Sequence, residues 1–112
     1  MKRGDVYWAD LSPRSGSEQD GRRPVIIVSD DGFNLARGWR SISVVPVSTG
    51  RQTVNVPSVV PLGGALGLDD ASAAIAHQVT TIDRGKLKRR LGALPAVLLS
   101  EVDEALRASL GL

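Results

Sequence analysis

The chain contains no cysteine. Disulfides, thiolate catalysis and cysteine metal sites are therefore excluded. It has a single histidine, His77, so neither a histidine-rich metal cluster nor catalysis by a histidine pair is available. Aromatic residues are scarce, with two Trp, one Tyr and one Phe. No apolar run approaches the roughly 18 residues that a membrane-spanning helix requires. The opening MKRGDVYWAD has two basic residues but no apolar stretch behind them. It does not read as a secretory signal, and the cytoplasm is the expected compartment. An excess of either charge is also lacking: 14 Lys and Arg against 12 Asp and Glu leave a net charge of only +2. Such a balance does not demand a nucleic-acid partner, so any such contact must come from local basic groups.

What is present fits one soluble domain. The 112 residues suffice for one modest hydrophobic core. VYWADL (6–11) is β-prone and bounded by Gly4 and Ser12-Pro13, which predicts a first strand. SPRSGSEQDG (12–21) is a polar loop of unusual length for a hairpin, and long loops in small domains are often functional. PVIIVS (24–29) is a continuous apolar run of strand length, which predicts burial on both faces. DDGFNLARGWR (30–40) is turn-like, with room for one helical turn, and SISVVPV (41–47) is a third strand. Pro46 places the end of that strand at an edge or bulge. A second polar loop, STGRQTVNVP, leads to a short strand, SVVPL, and then to the glycine-rich GGALGLDD (63–70). SAAIAHQVTTI (72–82) reads as a fifth strand and DRGKLKRRLG (83–92) as a basic helix or turn.

The last segment, PAVLLSEVDEALRASL, is a helix. Leu98, Val102, Ala105, Leu106 and Leu110 recur every three or four residues and form one apolar stripe. Pro95 suits the first helical position, and Asp103 and Arg107 are spaced to pair. The expected architecture is mainly β: a small antiparallel barrel of about five strands with a C-terminal α-helix.

Three polar features stand out. Arg22 and Arg23 sit at the entrance of the second strand, and Pro24 pushes Arg23 toward extended backbone. Extended neighbours point to opposite faces, so one arginine is expected to face a cavity and the other solvent. A guanidinium offers a planar fork of donors suited to a phosphate. Ser48 and Thr49 place hydroxyls at the end of the third strand. If strands two and three are neighbours, those hydroxyls approach Arg23. Glu18 in the preceding loop is a base or an orienting partner if it lies near the arginines. Against these stand plainer readings: solvated arginines, turn-capping hydroxyls, a surface acid and a structural His77.

RGDVYWADLSP, GSEQDGRRPVIIVS, VVPVST and HQVTTIDRGKL, in this order and spacing, resemble the MazF/PemK family of toxin endoribonucleases. The similarity runs from Arg3 into the final helix. It implies an SH3-like barrel acting as a homodimer. It implies cleavage of single-stranded RNA at short sequences with no metal or other cofactor, giving 2′,3′-cyclic phosphate and 5′-hydroxyl ends. It also implies inhibition of translation, and neutralisation by a cognate MazE-like antitoxin. The catalytic arginine falls on Arg23. The catalytic hydroxyl falls on Ser48, or on Thr49 if the register shifts by one. Glu18 matches an acidic residue of some members. Ser17, Gln19, Arg22, Arg51 and Gln78 are the implied RNA contacts, Gln78 with a mainly structural part.

Further cations, Arg14, Arg37 and Arg40, lie in or beside polar loops. Trp39 and Phe33 are candidates for base stacking, with a place in the core as the alternative, and LKRRL reads as a solvated helical face, with an RNA-binding patch as the alternative. A different class shares the fold: a non-enzymatic inhibitor of a protein target such as DNA gyrase. A degenerate member that only binds RNA or antitoxin is the third reading.

Overall fold

The computed structural model of the chain describes residues 1–11, 21–49 and 55–112. Its order is β1 (Asp5–Asp10), β2 (Arg22–Ile27), α1 (Asp31–Asn34), β3 (Ser41–Ser48), β4 (Val59–Pro61), β5 (Ala73–Ile75), β6 (Thr80–Asp83), β7 (Leu87–Ala93) and α2 (Ala96–Leu110). The architecture is mainly β with a C-terminal helix, as expected. The described strands number seven rather than five, in one antiparallel sheet ordered β4-β5-β3-β2-β1-β7, with β6 also on β3. The sheet is not closed.

Two departures account for the extra strands. The expected fifth strand breaks at a single 3-10 turn, Ala76–Gln78, into β5 and β6. The basic stretch expected to be a helix or turn makes only one 3-10 turn, Arg84–Lys86, before it extends into β7 beside β1. Pairing with β1 overrides the helix-permissive Lys and Arg residues, a tertiary preference that charge conceals in the sequence.

β3 organises the sheet. It pairs β2 along one side, while its other side is shared by β6 over Ser41–Val44 and by β5 over Val47 and Ser48. Pro46 therefore lies mid-strand and buried, not at an edge. Val28 N–H donates to the Ser43 carbonyl (2.9 Å), which sets the phase of the β2–β3 ladder. In that phase the Pro46 nitrogen faces away from β2, into the gap between β6 and β5. No ladder bond is required there, so proline is tolerated.

Both faces of β2 are buried, as its continuous apolar run predicts, and so are both faces of β3 from Val44 on. Val6, Ile26, Val45 and Val47 pack under α2 with Val102 and Ala105. Val25, Ile27, Ile42 and Val44 form a second core with Ala9, Leu11 and Ile82. In α2, Leu98 and Leu106 pack on the first core, but Leu110 is exposed. The helix begins one residue later than predicted, with Pro95 as its N-cap. The expected Asp103–Arg107 pair does not form. Asp103 binds Arg3 (2.7 Å) and Arg107 turns to Glu104 (2.8 Å). The reach of Arg3 from the N-terminus ties α2 to the sheet, a long-range partner that helix spacing cannot reveal.

Candidate functional site

The antiparallel register Val25↔Pro46 sets the start of β2 beside the end of β3. A cavity of about 520 Å³ opens there. Arg22, Arg23 and Pro24 line it from β2, Val47 and Thr49 from the end of β3, and Trp8 from β1. Leu66, Gly67, Leu68, Asp69 and Ser72 form a second wall, and Arg89, Arg90 and Leu91 of β7 a third.

A bulge explains how neighbouring β7 residues share one cavity. Tyr7 pairs with Arg90 and Ala9 with Leu87, so two residues, Lys88 and Arg89, oppose Trp8 alone. Bulges re-aim side chains in this way. The opposite wall depends on a glycine. Gly92 has φ +150°, and a Cβ there would come within 2.9 Å of Leu66 Cδ2. Leu66 itself takes the left-handed conformation (φ 56°), a strained choice for leucine. Gly92 leaves the space in which that side chain rests.

Four arginines, Arg22, Arg23, Arg89 and Arg90, line the cavity against one acid, Asp69. Arg90 is anchored: its Nη2 donates to Asp5 Oδ1 at 3.1 Å. Asp5 is buried and also accepts the Lys2 N–H (2.9 Å). Burial opposes its ionisation, but the Arg90 hydrogen bond and charge and the Lys2 N–H outweigh it. The carboxyl is held below its usual range. A pKa lowered by folding means that the unfolded chain binds the proton first. The stability Asp5 contributes is therefore complete above about pH 4 and is lost as pH falls through the lower folded value. Asp31 and Asp83 shift in the same direction, through the Arg3 N–H and the Arg40 guanidinium respectively. Asp5→Asn isolates the Asp5 share. The variant should be less stable than wild type by about 1–3 kcal/mol at pH 7, and the gap should close below pH 4 in denaturant titrations. A gap that persists in acid would assign the loss to packing instead.

Of the predicted site residues, Arg22, Arg23 and Thr49 line the cavity. The two arginines are not separated as expected: both line the cavity, at the mouth of β2. Ser48 is 8% exposed and sits in the ladder opposite Ala73, while Thr49, two residues beyond Val47 on the same wall, is exposed. Gln78 is half-buried in the 3-10 turn and does not line the cavity. Ser17, Glu18, Gln19 and Arg51 lie outside the described residues, as does Arg14. Arg40 is paired with Asp83 (3.0 Å). Exposed Arg37 is not on the cavity wall.

Phe33 and Trp39 lie outside the core, and neither lines the cavity. They stack on each other at the surface, centroids 5.1 Å apart, away from the cavity lining. Beside them Arg84 donates to the carbonyls of Phe33, Asn34 and Trp39, so this basic residue latches α1. His77 is exposed in the 3-10 turn and within hydrogen-bond distance of Ser58 (2.7 Å). Trp8 escaped the sequence reading, whereas Arg89 and Arg90 entered it only within LKRRL, whose RNA-patch reading was the less favoured one. The alternation Val6, Trp8 on one face of β1 was the available signal for Trp8. The bulge that sets Lys88 and Arg89 opposite Trp8 has no sequence signature here.

Residues 2–110 match the model of the PemK-like, MazF-like toxins of type II toxin–antitoxin systems. The chain belongs to this PemK/MazF family. A curated relative, the endoribonuclease MazF of Staphylococcus saprophyticus, is 40% identical, covering 100% of this chain and 92% of that protein. Among solved structures, MazF from Deinococcus radiodurans superimposes with a TM-score of 0.83 at 28% identity, covering 100% of this chain and 97% of that one. An endoribonuclease from a mycobacterial species, solved in complex with its cognate antitoxin, gives 0.80 at 28% identity, covering 100% and 96%. The PemK/MazF motifs map onto the sheet centre: RRP opens β2, and VST closes β3 at the cavity.

Proposed function

We propose that this PemK/MazF chain is an endoribonuclease toxin that cleaves single-stranded RNA at short sequences without a metal ion. It leaves 2′,3′-cyclic phosphate and 5′-hydroxyl ends and so blocks translation. It acts in the cytoplasm as a homodimer and is neutralised by a cognate MazE-like antitoxin. The observation that carries the chemistry is the convergence of Arg23 and Thr49 on one arginine-walled cavity. The endoribonuclease names of full-length relatives and the antitoxin complexes of structural neighbours support the class.

In this reading the 2′-oxygen of the substrate attacks the adjacent phosphorus. The 2′-O–P bond forms as the P–O5′ bond breaks. The 2′-proton passes to a base, and the 5′-oxygen leaves with a proton. Negative charge grows on the phosphorane oxygens, where the Arg23 guanidinium donates. Thr49 positions the phosphate through its hydroxyl. An arginine is a poor base because it stays protonated, so the base is a different group, and Glu18 is the assigned candidate.

The test is cleavage of a mixed-sequence RNA in EDTA, with end-group analysis. Wild type should cut to 5′-hydroxyl ends. Thr49→Ala should lower kcat/KM by about 10- to 100-fold, the scale of one lost hydrogen bond to a charged group. Ser48→Ala, on a residue turned from the cavity, should stay near wild type. If Ser48→Ala loses activity and Thr49→Ala does not, the hydroxyl assignment is reversed.

A further inference from the structure

Beyond the Arg23–Thr49 cavity, a second cavity of about 420 Å³ is lined by Trp8, Arg22, Lys88 and Arg89. Trp8, Arg22 and Arg89 line both, so the two form one continuous groove. The composition of the second part is specific: one half-buried indole and three cations. Among the described residues, Arg22, Lys88 and Arg89 form no ion pair with a carboxylate. Lys88 Nζ reaches only the Gly85 carbonyl, at 3.3 Å. The bulge is what sets Lys88 and Arg89 side by side across from Trp8. Among the described residues β7 pairs with β1 alone, so the groove runs along the edge of the described sheet.

We propose that Trp8, Arg22 and the Lys88–Arg89 bulge form a second nucleotide subsite that holds a nucleotide flanking the cleaved phosphate. The base stacks on the Trp8 indole, and the neighbouring phosphates lie on the Lys88 and Arg89 cations. Every base has a π-face, so stacking accepts any base, and the cations track the backbone. The placement beside the cleaved phosphate rests on the ribonuclease reading; nucleotide binding does not. The subsite extends the footprint and adds affinity without choosing the sequence cut.

The experiment uses full-length protein in a Trp39→Phe background, where Trp8 is the only indole. The probe is a mixed-sequence 2′-O-methyl oligonucleotide, which cannot be cleaved because the nucleophile is blocked. Trp8 emission should quench on saturation. Trp8→Ala, followed by electrophoretic mobility shift, should weaken binding about 5- to 100-fold, with Trp8→Phe restoring most of it. Lys88→Ala/Arg89→Ala, both exposed and safe for the fold, should weaken binding and lower the salt slope by about 1–2.

Unquenched Trp8 at saturation, or a double variant with wild-type affinity and slope, would overturn the subsite. So would polyglutamate binding as tightly as the oligonucleotide, which would assign the groove to an acidic peptide. If natural RNA stays uncut while the probe quenches Trp8, the nuclease reading fails and the subsite stands. If natural RNA is cut and Trp8 stays silent, only the subsite fails.

Discussion

Replacing Arg23 with alanine is expected to lower kcat/KM for RNA cleavage by about 100- to 1000-fold, the usual loss for a preorganised donor aimed at developing charge. The fold should survive. Arg23 is half-buried at the start of β2, and its pairing with Ala9 is made by backbone atoms that the substitution leaves in place. Circular dichroism melts of wild type and variant should nearly coincide while their cleavage rates diverge. Arg23→Lys should recover little, because an ammonium keeps the charge but loses the planar fork. Arg37→Ala, exposed and off the cavity wall, is the matched control and should cut at the wild-type rate. Equal rates for wild type and Arg23→Ala would remove Arg23 from the chemistry and, with it, the present account of the cavity.

The parts of this site that the sequence disclosed are those carried by strands with simple hydrophobic patterns. PVIIV is buried on both faces, and its unbroken apolar run made it readable. Arg23 and Thr49, which line the cavity, sit at the start of β2 and just past the end of β3. Thr49 could not be separated from Ser48 by composition. Only the position of Val47 in the ladder fixes which of them faces the cavity. β7 was misread because Lys88, Arg89 and Arg90 mask any period of two, and its identity as a strand depends on β1, some 80 residues earlier in the sequence. The split of the fifth strand was equally hidden, since Ala76–Gln78 has no glycine or proline to mark a turn. The basic run thus changes meaning with its secondary structure. On a helix it would have been a solvated face. On a bulged strand it supplies one wall of a groove.

The second large effect concerns the platform that holds the site. Ile26→Ala should cost about 2–5 kcal/mol of stability, the range for removing a large aliphatic side chain from a closed core. Ile26 is fully buried, three residues from Arg23, and packs in the core that β2 and β3 share with Val102 and Ala105 of α2. Its neighbours Val6, Val45 and Val47 are stiff β-branched side chains on paired strands, and such walls collapse poorly into a void. Val97→Ala on the same helix-and-sheet unit, at 73% exposure, should change stability by less than about 0.5 kcal/mol. Urea titrations of the pair measure both. Below its melting range, Ile26→Ala should keep its cleavage activity, because the lost side chain faces α2 and the groove is built from the strand ends. A loss of activity without a loss of stability would mean that the core side chain sets the position of Arg23, and that the sheet is less rigid beneath the site than its packing indicates.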